Sequence, residues 1–442
     1  MKIAYITAGA AGMYCGTCMH DNTLAAALIR DGHEVSLIPT YTPIRTDEED
    51  VSTKRVFYGA INVYLEQKTS LFRHTPWLVD RMLTNPRLLA WVSKKGSTTD
   101  AKDLGALTLS VLQGEEGRQS KELQRLVDWL RDDLSPDIVQ LTNSMFLGMA
   151  RRIREELRIP VVCSVQGEDI FFDDLVEPHK SQIMETLRER ARDVDGFIAN
   201  SRFYTDTMGQ LLGIAPEGID CVPLGLKLEG HGRGEPLASD VPFTIGYLAR
   251  ICPEKGLHLL LEGFRKLAER VGRERIRLRV AGYLGERDRA YYESLVEQIA
   301  AWGLGDRIDL VGEIDRAQKI AFLHSIHVLS VPTVYREPKG LFVLEALANA
   351  IPVVQPAHGS FPEIIGDVGG GVLFEPGDTD ALADALEQLM RDPEHRSRLG
   401  EQGMQAVKRE RDDATMARRT LDVYRRIIRD YRVRTGEGGS VA

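Results

Sequence analysis

The stretch YREPKGLFVLEALANAIPVVQP, from Tyr335 to Pro356, decides how the rest of the chain reads. It opens on a breaker cluster, Glu337-Pro338-Lys339-Gly340, which predicts a loop. The apolar run over 341–350 predicts a compact helix, and Pro352-Val353-Val354 a short buried strand. Residues 327–332 predict the strand before them. Strand, loop, helix, strand is the pattern of a parallel α/β sheet, which places ligands beside the loop. Glu337 lies on the loop and Glu345 about one turn inside the helix. Gly340 permits close backbone approach, the N–H groups after it make an anion site, and Lys339 adds positive charge. An anion held there has a carboxylate on each side, each able to accept hydroxyl hydrogen bonds. A nucleotide sugar fits that layout, with diphosphate in the middle, ribose on one side and hexose on the other.

Carboxylate pairs at arbitrary spacing are commonly solvated surface charge, so the surroundings carry the reading. The stretch resembles the signature of the family 4 retaining glycosyltransferases of the GT-B fold. Glu337, Gly340, Leu341, Glu345, Ala346 and Pro352-Val353-Val354 match that signature. Lys339 stands where an aromatic residue is more usual, and Ala350 where a glycine is. The resemblance implies an α/β chain of two Rossmann-like, doubly wound domains facing across a cleft.

Outward from the signature, 243–248 predicts a strand that leads into ARICPEKG, similar to the family's Gly-Arg-x-x-x-Glu-Lys-Gly loop with Ala249 in place of glycine. Arg250 and Lys255 there would neutralise a leaving diphosphate. Gly312 ends another predicted strand near the expected base pocket, and Phe361-Pro362-Glu363 resembles a further family segment. The first half opens with a strand over 2–7, a Gly-rich loop over 8–17, a helix over 21–30 and a strand over 34–39. The glycines form no clean G-x-G-x-x-G, and Gly16 is the best match for the glycine nearest the donor phosphate. Cys15-Gly16-Thr17-Cys18 is read as a pair of reduced structural thiols, since no second ligand pair has zinc spacing.

At the carboxyl end of the strand 160–165 the family usually carries histidine, and this chain has Gln166. Glutamine hydrogen-bonds a sugar hydroxyl but carries no proton at neutral pH. Gln166 and Asp169 are the acceptor-side candidates, with a helix or turn cap the plainer reading of Asp169. The expected organisation is an acceptor-side domain over 1–228 with a helical insertion over 42–114, and a linker over 229–241. A nucleotide-sugar domain over 242–410 and a helix over 411–435 returning to the first domain complete it.

The chain has 442 residues and a net charge of −9, from 56 Lys and Arg against 65 Asp and Glu, which disfavours a nucleic-acid partner. The start MKIAYITAGAAG is no secretory signal, no apolar run is long enough to span a bilayer, and the five cysteines are odd in number. A cytoplasmic location follows as an expectation. Residues 71–95 combine aromatic and basic side chains, compatible with peripheral contact at the inner face of a membrane or with a helical subdomain. The basic run Arg151, Arg152, Arg154 and Arg158 reads as a solvated face or as an attraction for anionic lipid.

The resemblance implies transfer of a hexosyl group, with retention, from a UDP- or GDP-sugar to a sugar or lipid-linked acceptor in glycan, glycolipid or envelope polysaccharide synthesis. Arg250, Lys255 and Glu337 would be catalytic. Gly16, Gly312, Lys339, Gly340, Leu341 and Glu345 would join them in binding the donor, with no metal and no cofactor besides that substrate. The alternatives are a non-catalytic sugar-nucleotide-binding protein and another enzyme on the same fold, such as an epimerase or phosphorylase.

Overall fold

The computed structural model describes residues 1–9, 15–58, 101–238 and 240–436. Its strands are β1 (Lys2–Thr7), β2 (Glu34–Pro39), β3 (Ile138–Leu141), β4 (Val161–Val165), β5 (Gly196–Ala199) and β6 (Ile219–Cys221). There follow β7 (Phe243–Leu248), β8 (Ile276–Ala281), β9 (Ile308–Gly312), β10 (Val328–Leu329), β11 (Val353–Pro356) and β12 (Gly371–Phe374). They make two six-stranded sheets, ordered β2-β1-β3-β4-β5-β6 and β12-β11-β10-β7-β8-β9. Every pairing within them is parallel. Parallel strands need crossovers, and helices supply them, so both sheet faces are covered. That is why FTIGYL of β7 and VVCSV of β4 are apolar with little alternation and buried along their whole length.

Each sheet has one place where the winding reverses. In the first, the chain goes from β1 out to β2 and then crosses to β3 on the other side; in the second, it leaves β7 for β8 and returns to β10. Loops at such switch points diverge to opposite faces and leave a crevice at the strands' carboxyl ends.

Two compact units hold these sheets: Met1–Pro223 with Ala414–Ala442, and Leu224–Asp413. The chain therefore crosses at Pro223–Leu224, ahead of the expected linker, and residues 229–241 belong to the second unit. The helix Asp413–Thr435 packs on the first unit, where Met416, Leu421, Tyr424 and Ile427 join the cluster of Ile3, Tyr5 and Leu24. Tyr424 OH donates to Gln140 Oε1 at the centre of that sheet.

Most strand and helix positions agree with the sequence reading to within a few residues. The helix expected over 341–350 stops earlier, as Leu341–Ala348, because Ala350 takes φ 59° and the Ile351 amide turns back to the Ala346 carbonyl. The helices Phe361–Val368 and Pro393–Glu410 are not in the sequence reading. The second was signalled: Asp392 caps it through the His395 amide, and Pro393 sits at the first helical position. Of the expected insertion over 42–114, the described parts are residues 42–58 and the helix Ala101–Leu112; the aromatic and basic segment over 71–95 lies outside the described residues.

Candidate active site

The switch point of the second unit brings the signature glutamate and the loop lysine together. Lys255 ends a 3₁₀ turn, Pro253–Lys255, in the loop after β7. Gly256 follows with φ 70°, and a Cβ there would lie 1.8 Å from the Pro332 carbonyl oxygen, so only glycine lets the two loops touch. Glu337 is fixed from behind, since the Ser360 amide donates to its carbonyl at 2.7 Å.

Both carboxylate oxygens of Glu337 are engaged. Oε2 accepts from Lys255 Nζ at 2.6 Å and from the Tyr335 hydroxyl; Oε1 accepts from the amides of Lys339 and Gly340 at 3.2 and 3.3 Å. Tyr335 OH also lies 2.7 Å from Lys255 Nζ, and the ammonium sits 5.0 Å from the Tyr335 ring and 5.3 Å from that of Phe342. Burial alone would raise the Glu337 pKa, but the Lys255 charge and these hydrogen bonds outweigh it and hold it at about 2. Burial and the same carboxylate push Tyr335 well above its ordinary value, so it stays a donor.

The other expected donor residues sit around this knot. Arg250 follows β7; its Nε donates to Cys252 Sγ at 3.2 Å and its tip lies 4.0 Å from Glu254. Gly340 caps the helix Leu341–Ala348 with φ 65°, and its amide is spent on Glu337 rather than left for an anion. The first bond within that helix comes from Val343, so the amides of Leu341 and Phe342 precede the helical ladder. Lys339 is half-buried beside them. Glu345, expected to face a ribose, makes a buried ion pair with Lys319 at 2.5 Å, each side chain 8% exposed. Lys319 was not singled out from sequence, because it comes from the separate helix Arg316–Leu323. Gly312 closes β9 with φ 81° and open space where a Cβ would stand. Among the described residues no His, Cys, Asp and Glu cluster suits a metal ion.

In the first unit the switch point holds a different assembly, centred on Asp21, which sequence reading passed over. Gly16 begins the helix Gly16–Arg30, which carries Asp21 toward the ends of β1 and β3. Asp21 is fully buried. It accepts from Tyr5 OH (2.5 Å), Thr7 Oγ1 (2.7 Å), Thr142 Oγ1 (2.6 Å), Gln166 Nε2 (3.0 Å) and His20 Nδ1 (3.2 Å). Burial raises its pKa, and the bonds from His20, Thr142 and Thr7 outweigh that and lower it. Gln166 is therefore a partner of Asp21, with a second bond from Nε2 to the Thr142 carbonyl at 2.9 Å. Asp169 accepts from Tyr204 OH at 2.8 Å, and burial pushes its pKa up. Its neighbour Glu168 is buried and accepts from the Ser144 amide and hydroxyl.

No disulfide joins any of the five cysteines, Cys15 and Cys18 included. The arginines of the helix Ala150–Leu157 are paired: Arg151 with Asp193, Arg152 with Glu156, Arg154 with Asp195. Among the described residues no helix is long and apolar enough to cross a membrane.

Residues 233–406 match the family described as glycosyl transferases group 1, and residues 21–225 match the glycosyl transferase 4-like domain. A phosphatidyl-myo-inositol mannosyltransferase of Mycobacterium leprae is 32% identical over 49% of this chain and 55% of its own length. A D-inositol 3-phosphate glycosyltransferase of Nocardia farcinica is 24% identical over 58% of each chain. The match thus spans little more than half the length of these relatives. Sucrose-phosphate synthase from Thermosynechococcus elongatus superposes with TM-score 0.69 at 16% identity, over 97% of this chain and 99% of its own. Anabaena HepE in complex with UDP superposes with TM-score 0.66 at 16% identity, over 96% of this chain and 100% of its own. With two Rossmann-like units, a matching signature and family matches over both halves, the chain belongs to the family 4 glycosyltransferases of the GT-B fold.

Proposed function

We propose that this protein moves a hexosyl group from a nucleotide-diphospho sugar to an acceptor hydroxyl, with retention at the anomeric carbon and without a divalent metal. The observation that carries this reading is the Lys255–Glu337 pair at the second unit's switch point. Lys255 and Arg250 bind the diphosphate and offset the charge that grows as it leaves. The ammonium has three N–H donors, and Tyr335 and Glu337 take two of them here. As Lys255 turns to the phosphates it releases Glu337 Oε2, which then accepts a hydroxyl of the hexose. The amides of Leu341 and Phe342 assist the phosphates from the helix start. Glu345, held by Lys319, faces the ribose, and Gly312 lies at the base. The leaving diphosphate takes the acceptor's proton as the new glycosidic bond forms on the same face.

UDP is the first base to test, since HepE binds it. Relatives named for inositol acceptors make a cyclitol, free or lipid-linked, the first acceptor class to test, within glycolipid or envelope glycan synthesis. The experiment is calorimetric titration of wild-type protein and Lys255→Met with UDP and GDP, followed by turnover of labelled UDP- and GDP-sugars in EDTA. One nucleotide is expected to bind wild type and to lose about tenfold or more on Lys255→Met, as removal of a charged phosphate contact would cause. Failure of both nucleotides to bind, or equal binding by the variant, sinks the reading. An inverted anomer in the product sinks the retaining mechanism alone.

A further inference from the structure

The segment after β11 braces the turn that leads to Glu337, and it does so at both ends. At one end the Ser360 amide donates to the Glu337 carbonyl at 2.7 Å. At the other, His358 Nε2 lies 2.9 Å from the Thr333 carbonyl oxygen. Between them Gly359 takes φ 63°, and a Cβ there would lie 2.6 Å from both the nitrogen and the carbonyl oxygen of Glu337, so the two backbones touch. Within the braced turn the Val334 amide donates to the Glu254 carbonyl at 2.9 Å. Its Tyr335 hydroxyl meets both Lys255 and Glu337.

A carbonyl oxygen only accepts hydrogen bonds, so Nε2 of His358 carries the proton. Nδ1 of the neutral ring is then a lone pair; it is buried and has no hydrogen-bond partner among the described residues. A charged ring would bring a second N–H to that buried position with no acceptor to meet it. Burial is the largest influence on the ring and lowers its pKa, and the Arg336 charge acts the same way; the Thr333 bond and the Glu337 charge oppose them without prevailing. The imidazole packs against the fully buried Phe361 ring, with 6.2 Å between centroids. Thr333 is only 2% exposed, so its carbonyl has little access to water in place of the imidazole.

We propose that His358, as the neutral Nε2–H tautomer, is a positioning residue that fixes the turn from Thr333 to Glu337 and so presents Tyr335 and Glu337 to Lys255. Its bearing on nucleotide binding rests on the transferase reading above; the brace itself does not. His358 acts through the turn and touches no substrate in this role.

The test uses the full chain. Long-range proton–nitrogen NMR reads the His358 tautomer in wild type, and hydrogen exchange reads the Val334 and Ser360 amides. His358→Gln places an amide N–H at about the reach of Nε2, whereas His358→Met has similar length and no donor. Wild type is expected to show a neutral ring protonated on Nε2. His358→Met should exchange both amides about three- to tenfold faster and bind UDP or GDP more weakly by a similar factor, the effect of one neutral hydrogen bond. His358→Gln should stay near wild type in both. An Nδ1–H tautomer or an imidazolium near neutral pH overturns the proposal, and this arm needs no variant to fold. Unchanged exchange in folded His358→Met, or equal acceleration in both variants, overturns it too. Faster exchange with unchanged nucleotide affinity would confine His358 to stability and end its positioning role. If neither nucleotide binds wild type while tautomer and exchange behave as expected, the brace stands and the transferase reading falls. Nucleotide binding with exchange unmoved by His358→Met does the reverse.

Discussion

The two units repeat one plan and fill it with opposite chemistry. Each has a doubly wound parallel sheet, and each places a buried carboxylate at the point where the winding reverses: Asp21 beside β1 and β3, Glu337 beside β7 and β10. Asp21 is held by hydroxyls, an amide and an imidazole. Glu337 is held by an ammonium, a hydroxyl and two backbone amides. The first arrangement uses up donors and leaves Gln166 Oε1 without one. The second stores a cation that a phosphate can compete for. Burial of a carboxylate therefore says little about its partners; the elements that meet around it decide them.

The largest expected effect breaks the ion pair. Lys255→Ala leaves Glu337 charged and buried without its cation, which should lower stability by about 3–5 kcal/mol in denaturant titration. It should also remove nucleotide binding. The double variant Lys255→Met/Glu337→Gln should regain much of the stability and none of the binding. Asp21→Asn should cost less, about 3 kcal/mol, because it turns an NH₂ toward some of the donors while no buried charge is stranded. If Asp21→Asn proved the more damaging, the contrast between the two crevices would have been drawn the wrong way.

Acid titration sharpens the same contrast. The Glu337 pKa falls from 4.5 to about 2 on folding, so its contribution is complete above pH 4.5 and is lost as pH drops through 2. The loss amounts to on the order of 3 kcal/mol over that window. The double variant should show a markedly flatter stability profile there than wild type. Asp21, also lowered, should keep some acid dependence in that variant, and Asp21→Asn should remove it.

Two smaller effects test the edges of the sites. Ala350 stands at φ 59° just after the signature helix, so Ala350→Gly should stabilise by about 1 kcal/mol, read as a rise in melting temperature. Cys18→Ala should leave turnover near wild type while Lys255→Ala abolishes it. Abolition by Cys18→Ala with the fold intact would revive a thiol role.

Much of the second unit was readable from residue order, because its candidate site is local. Glu337, Gly340 and Glu345 lie within one loop and helix, and Arg250 and Lys255 on one loop, so breaker residues and apolar periodicity placed them on these elements and the family resemblance singled them out. The Lys319–Glu345 pair was not readable, since nothing in a lysine on an amphipathic helix marks it as buried. In the first unit, Asp21 was hidden for a like reason: its donors come from positions 5, 7, 142 and 166, and only the sheet order makes them neighbours. Gln166 drew notice as a substitution for histidine, but its free atom and its bound one could be told apart only once Asp21 stood beside it.

By itself the amino-acid order determined that this chain alternates strands and helices, that its second half carries a breaker loop and a short helix with a carboxylate on each, and that it resembles a known transferase family. Those features depend on periodicity and on glycine and proline, which act over a few residues. Folding alone decided which carboxylate faces a cation and which faces hydroxyls. Such pairings join residues tens to hundreds of positions apart, and hydrogen-bond polarity passes between them only through contact.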